Sequence, residues 1–309
     1  MTKAKNTEPK KFNLKKPYLE TFNLKKITLA KVKKFIKNNF TSKDPKVACI
    51  NLQGVIGRDS KISSGINYEN TLPLLEKAFK IDDVKSVAII INSPGGSPVQ
   101  SELIYNAIRN LSKEKKIPVF TFAHDVAASG GYWLLLSGDE VYAHNSSIIG
   151  SIGVIFSGFG FVDLIKKIGV ERRIYTEGKN KAILDPFVPE VKENIDILKS
   201  AQKDIFNSFK DMVRTSRGKK LEKSLKDIGE DKIFSGAFWS GKTAKDLGLI
   251  DEICDIREKL QQKYGKKVKI INITAKKSFI KSFFSEKTEL SDKLINKIEE
   301  KLSFNKFGL

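Results

Sequence analysis

Residues 86–96, SVAIIINSPGG, constrain the fold more than any other stretch of this chain. A strand with one solvated face alternates apolar and polar residues, whereas an unbroken apolar run that stops at a Pro-Gly-Gly turn is covered on both faces. A helical pattern follows, with Val99, Leu103, Ile104, Ala107, Ile108 and Leu111 on one side. A second apolar strand, PVFTFAHD, then ends at another small-residue turn, VAASGG. Upstream lie an apolar run from Val47 to Ile56, interrupted by Gly54, and a helical pattern in ENTLPLLEKAFK. Strand, helix, strand, helix with continuous apolar strands predicts an α/β fold built on a mainly parallel, buried sheet. Further strand-like pieces occur at EVYAH, SIGVIF and ERRIYTEG. A long helix is expected over about 189–216, and FSGAFWSGKTAKDLGLIDEI reads as a final turn-helix-strand element.

Charge divides the chain into three parts. Of the net +20, residues 1–40 carry +10 and residues 264–309 carry +6, leaving about +4 for the middle. The expected organisation is therefore a basic N-terminal extension (1–40), a core (41–263) and a basic amphipathic C-terminal tail (264–309). The extension would end in a short helix, ITLAKVKKFIKNNF; the tail holds one strand-like run, VKIINI, and then Phe279, Ile280, Phe283 and Phe284 among lysines. Only seven of the 56 basic residues are arginine, fewer than bidentate recognition of phosphate and guanine would use, so nucleic acid is not the expected partner. Biased coding toward lysine explains the ends as well as attraction to an anionic membrane does. Two separate cysteines, Cys49 and Cys254, form no disulfide framework, and two histidines, His124 and His144, are too few for a histidine-built metal site.

The N-terminus has positive charge but no apolar stretch behind it, so neither a signal peptide nor an anchor is expected. Residues 141–162 hold no Asp, Glu, Lys or Arg and are long enough to span a bilayer. Their serines and glycines break the stretch into short strands and turns, so a buried core segment is expected there and no transmembrane helix.

Two turns could carry chemistry. The glycines after Asn92 sit where α/β sheets place ligands, at a strand C-terminus, and two converging amides there could stabilise an oxyanion. An ordinary turn is the competing reading. Ser129, in VAASGG, stands on a strand-to-helix elbow, where it serves either as an exposed nucleophile or as a helix N-cap. A serine nucleophile needs a base. His124 and His144 qualify by type but lack an evident carboxylate to orient them. A lysine qualifies if burial lowers its pKa by roughly three units, about 4 kcal/mol. Lys179 and Lys181, followed by apolar residues in YTEGKNKAILDPF, are the candidates; alternation cannot choose between them, and both also read as ordinary surface lysines.

Taken together, SVAIIINSPGGSPVQSELIYNAI, AHDVAASGGYWLLLSGDEVYAHNSSIIGSIGVI and ERRIYTEGKNKAILDPF resemble the signal peptide peptidase A family of serine peptidases, including its SohB-type members. The resemblance covers about residues 47–255. It implies a Clp-protease/crotonase-like spiral of ββα units. It also implies that Ser129 is the nucleophile, Lys181 the general base, Ser151 the residue that orients the lysine, and the amides of Gly96 and Gly130 the oxyanion hole. No metal or organic cofactor is implied. Expected substrates are hydrophobic peptides such as cleaved signal peptides. A homo-oligomeric ring is expected, in which the dyad could be divided between subunits as it is between the halves of double-length relatives. The expected location is the cytoplasm, with peripheral contact at the inner membrane through the basic ends. Two other readings share parts of the pattern. An acyl-CoA enzyme of the crotonase type would use the same two-amide hole, but the sequence shows no clear CoA signature. A non-catalytic scaffold would leave the motif residues without a task.

Overall fold

The computed structural model describes residues 44–57, 65–274, 301 and 303–307, all within one compact unit spanning 44–309. The helix expected before residue 41 and the apolar stretch around Phe279–Phe284 lie outside the described residues. Among the described residues eight strands form one sheet, with the path β6-β5-β3-β2-β1-β8; off this path β4 pairs with β3, and β7 with β4. The strands are β1 (Lys46–Gln53), β2 (Val84–Ser93), β3 (Val119–Ala128), β4 (Glu140–Ala143), β5 (Ile148–Gly150), β6 (Phe238–Ser240), β7 (Glu252–Ile253) and β8 (Lys269–Ile273). All pairings are parallel except β5 with β6. The α/β class and mainly parallel sheet read from the apolar strands are thus what the chain adopts. The VKIINI run forms β8, which lies along β1 in the same sheet.

Strand β3 is shared along its length. Phe120–Phe122 pairs with β4, and Val126–Ala128 pairs with β5. The end of β3 therefore emerges between β2 and β5, with neighbours on both sides.

Both faces of the sheet are covered, as the unbroken apolar strands require. On one face, helices α1 (Tyr68–Phe79), α2 (Pro98–Lys115) and α3 (Gly130–Leu135) pack over Ile50, Leu52, Ile89 and Ile91, all buried. Each such side chain contributes about 1.5–3 kcal/mol on leaving water. On the other, α8 (Ile256–Tyr264) brings Leu260 against Val47, Ala88, Phe120, Phe122 and Tyr142, with the Phe122 and Tyr142 rings stacked at 4.8 Å. In chain order between α3 and α8 come α4 (Val162–Lys167), α5 (Lys192–Ile228), α6 (Glu230–Ile233) and α7 (Gly241–Asp246).

Helix α5 runs past the expected end near residue 216 but bends at Gly218, whose φ of 32° and ψ of −117° are not helical. Arg217 fixes the bend to the core: it donates to Gly248 O at 2.8 Å and to the Asp251 carboxylate at 2.8 Å and 3.2 Å. Burial pushes the Asp251 carboxyl up, but the Arg217 and Lys220 hydrogen bonds hold it below the usual carboxylate range.

Two expected strands do not form. SIGVIF follows β5, and only Ile148–Gly150 is extended and paired; ERRIYTEG has no regular structure. A strand needs a neighbour for its backbone amides; beyond the single bond of Ser151 N to Ala237 O at 2.7 Å, neither segment makes a strand pairing among the described residues. Residues 154–190 instead form an arm that packs mainly on itself. Phe161 stacks obliquely between Phe159 and Phe187, and Arg172 pairs with Asp185 at 2.8 Å. Among the described residues, no helix is long and apolar enough to cross a membrane.

Candidate active site

Ser129 follows the last residue of β3 and precedes the first of α3. Its φ of 52° and ψ of −122° lie in a region that non-glycine residues seldom occupy and that costs on the order of 1–3 kcal/mol. Two hydrogen bonds impose it: Ser129 N donates to Gly150 O at 2.8 Å, and Trp133 N donates to Ser129 O at 3.0 Å. The N-cap alternative does not describe this serine, because its hydroxyl caps no amide of α3. A strained, half-buried hydroxyl is left for another use.

The Pro-Gly-Gly turn comes up against this elbow. Gly96 has φ of 147° and lies so close to Ile56 that a Cβ would stand 2.1 Å from Ile56 O, so only glycine fits. A Cβ at Gly130 would stand 2.5 Å from Ser101 Oγ and 3.4 Å from Gly96 N. The Gly96 amide therefore lies directly over Gly130, and one at Gly95 would meet Ser129 Cβ at 2.8 Å and Gly130 N at 3.0 Å. Gly130 N is a first-turn helix amide with no carbonyl four residues back to bond. Among the described residues neither Gly96 N nor Gly130 N donates a hydrogen bond. Two amides without acceptors and one serine hydroxyl thus share a single small space.

Ser151 belongs to the same neighbourhood. Gly150 pairs with Ala128, so Ser129 and Ser151 are the next residues on adjacent strands. Ser151 also has a positive φ, 53°, held by its N–H on Ala237 O at 2.7 Å. Ser129, Ser151, Gly96 and Gly130 are therefore brought together by one seam of the sheet.

The lysines are elsewhere. Lys181 lies in a turn of the arm, its N–H on Gly178 O at 3.0 Å, with an exposed side chain and no hydrogen bond to Ser129 or Ser151. Lys179 pairs with Glu193 at 2.8 Å. His124 and His144 face each other at 6.2 Å, both exposed; His124 Nδ1 is 3.5 Å from Asp125, and neither ring bonds Ser129. Cys49 and Cys254 are free and buried, and burial raises both thiols, Cys49 to about 11. No group of three His, Cys, Asp or Glu that could hold a metal occurs among the described residues.

Sequence reasoning did not single out Asn92, whose side chain crosses from β2 to β3 just below the site. It also passed over Ser101, buried beneath Gly130 with its hydroxyl on Ser97 O at 2.9 Å. Asn92 could have been found only by seeing that β2 and β3 fall out of step there.

Comparison with known proteins gives the same region. The model of peptidase family S49 matches residues 111–270, and that of Clp protease matches residues 57–149. The chain is 47% identical over 241 residues to Na(+)/H(+) antiporter NhaA of Brucella abortus, covering 77% of this chain and 32% of that protein. It is 34% identical over 215 residues to Protease 4 of Haemophilus influenzae (69% and 33%). It is 32% identical over 215 residues to Serine protease SPPA, chloroplastic, of Arabidopsis thaliana (67% and 30%). The matched part spans about a third of each of these relatives.

Proposed function

Because this chain belongs to peptidase family S49, we propose that it is a serine endopeptidase with Ser129 as its nucleophile. The observation that supports this reading is the closeness of the Gly96 and Gly130 amides, neither of which donates a hydrogen bond among the described residues, to a strained serine. Neutral Lys181 takes the proton from Ser129 Oγ as the oxygen attacks the peptide carbonyl. The two amides hold the oxyanion, and the lysinium then gives its proton to the leaving amine. Water, activated by the same lysine, releases the acyl group. Ser151 accepts a hydrogen bond from the lysine and sets its direction. The chemistry asks for no metal or organic cofactor.

The exposed position of Lys181 supports a dyad assembled between copies. A general base near neutral pH needs a lysine taken out of water, and the chain's own fold leaves Lys181 in it. The arm that carries it also exposes Ile155 (84%), Phe159 (81%) and Tyr175 (91%). Apolar surface of this kind marks a contact site. The arm of one copy lies over the Ser129 site of the next, burying its apolar residues and Lys181 together in a homo-oligomeric ring. Substrates are extended hydrophobic peptides, cleaved signal peptides among them. The enzyme works in the cytoplasm, and its basic termini hold it at the anionic inner membrane. Sedimentation with anionic vesicles at low salt checks that location, which is abandoned if the protein stays in the supernatant.

A fluorophosphonate and a panel of fluorogenic hydrophobic peptides test the chemistry. Wild type and Lys179→Ala should hydrolyse the peptides, and Ser129→Ala and Lys181→Ala should not. Labelling should map to Ser129. Mixing Ser129→Ala with Lys181→Ala protein should restore activity if the dyad forms between copies. Activity indifferent to Ser129 would sink the nucleophile assignment, and a fully active monomer would sink the shared dyad.

A further inference from the structure

We propose that Asn92 is a positioning residue: its side-chain amide clamps β2 to β3 and so fixes the spacing between the Gly96 amide and Ser129. This rests on the serine peptidase reading and adds to it the part that sets the geometry of the oxyanion hole.

Strands β2 and β3 run in register until Ile91 faces Ala123, and they are in register again where Ser93 faces Ala127. Between these points β2 has one residue, Asn92, whereas β3 has three, His124, Asp125 and Val126. The ladder is broken at that point. A bulge of this kind leaves backbone groups without partners and lets one strand slide relative to the other. Here the slip would change how far the Pro-Gly-Gly turn stands from the elbow, because Gly96 lies four residues beyond Asn92 and Ser129 lies three beyond Val126.

Asn92 fills the break. It is 7% exposed, its Oδ1 accepts from Val126 N at 3.2 Å, and its Nδ2 donates to Asp125 Oδ2 at 2.8 Å. A primary amide offers an acceptor and a donor on one short, planar group, which is what a backbone N–H and a carboxylate together demand. The Val126 N–H can only donate, so the amide orientation is fixed. The Asn92 main chain extends the clamp to a third segment, its carbonyl accepting from Gly54 N at 3.0 Å. That segment continues to Ile56, which bonds Gly95 O through its N–H and Ser97 N through its carbonyl, both at 2.9 Å. The oxyanion loop is therefore held on one side by the segment after β1, through Ile56, and its strand is tied on the other side to β3 through the Asn92 side chain.

Charge logic provides the test. Asn92→Asp replaces the donor with a second carboxylate facing Asp125, whereas Asn92→Asp with Asp125→Asn restores a donor-acceptor pair of reversed polarity. The readouts are the rate of Ser129 acylation by a fluorophosphonate, kcat and KM on a hydrophobic peptide, and amide exchange over residues 126–131. Asn92→Asp should slow acylation and lower kcat by about tenfold or more, since small misplacements of reacting groups are costly, with KM within about twofold. Exchange over 126–131 should quicken. The double variant should return acylation to within about threefold of wild type and restore the slow exchange. Asp125→Ala, at a side chain 56% exposed, should slow acylation about threefold without unfolding, and it decides the matter if Asn92→Asp does not fold. Wild-type acylation in folded Asn92→Asp or in Asp125→Ala overturns the clamp, as does a double variant no faster than Asn92→Asp. If wild type itself is not labelled at Ser129, the nucleophile reading falls; the exchange data then judge the clamp alone, and unchanged exchange in Asn92→Asp overturns it.

Discussion

The sheet core and the arm are built from similarly apolar residues and treat them in opposite ways. In the core, Ile89, Ile91, Leu134 and Leu135 are fully buried, and the Trp133 ring stacks on Phe209 at 4.9 Å. In the arm, Ile155, Phe159 and Tyr175 stand in water. The core closes on itself and holds the proposed nucleophile and oxyanion hole. The arm carries the proposed base and lacks the surroundings that would make it one. An apolar residue that its own chain does not bury is a statement about another surface, and here the two halves of the proposed dyad fall on either side of that division.

The sharpest way to break this comparison is at the nucleophile. Ser129→Ala should lower peptide hydrolysis by at least about 10³-fold while leaving the assembly intact. Ser129→Gly should abolish activity as well and raise stability by roughly 1 kcal/mol, because glycine accepts the positive φ that serine is forced into. Thermal denaturation of the two variants side by side reads that difference; a Ser129→Gly protein no more stable than Ser129→Ala would mean the elbow is not strained.

The bend in α5 comes next. Asp251→Ala leaves Arg217, only 3% exposed, without its counter-ion, and should cost about 3–5 kcal/mol in denaturant unfolding. The sign of the pH dependence follows from the lowered Asp251 pKa. The stabilisation is present above the ordinary carboxylate pKa and is lost as pH falls through the depressed folded value. Wild type should therefore lose stability on acidification more steeply than Asp251→Asn, measured as denaturation midpoints across that range.

Gly130→Ala probes the hole itself. The added methyl meets Ser101 Oγ and crowds the Gly96 amide, so kcat should fall by about 10²–10³, as on loss of an oxyanion donor. Stopped-flow acylation measures it, and a wild-type rate would remove Gly96 and Gly130 from the hole. The smallest effect on stability should come from the arm. Phe159→Ser and Tyr175→Ser should change unfolding free energy by less than about 0.5 kcal/mol, yet weaken self-association in analytical ultracentrifugation. Substantial unfolding would show that the arm is core after all.

The core was legible because its signal is intrinsic: a strand such as Val87–Ile91 declares by its unbroken apolarity that both faces are covered. The elbow at Ser129 was legible for a similar reason, since small residues after a strand mark a tight turn. SIGVIF and ERRIYTEG misled because β-like composition reports that a segment wants a neighbour and not whether its own chain provides one. Lys179 and Lys181 look alike in the sequence; the ion pair of Lys179 with Glu193 separates them only in three dimensions. Asn92 was hidden for another reason. Its task arises from a mismatch between two strands, at positions 34 residues apart, and a single strand read alone carries no trace of it.

The burial of Phe209 and Val213 has a mechanical consequence. The part of α5 ahead of them, residues 192–208, is a stiff rod about 26 Å long at 1.5 Å per residue, rooted where those two side chains enter the core. Turning it about that root by a single degree swings the far end by about 0.4 Å. A reach set by leverage can be retuned by small changes near the fulcrum, leaving the chemistry untouched. The arm, which ends at residue 190 where the rod begins, is thus placed by the packing around Phe209 and not by any residue of the sheet.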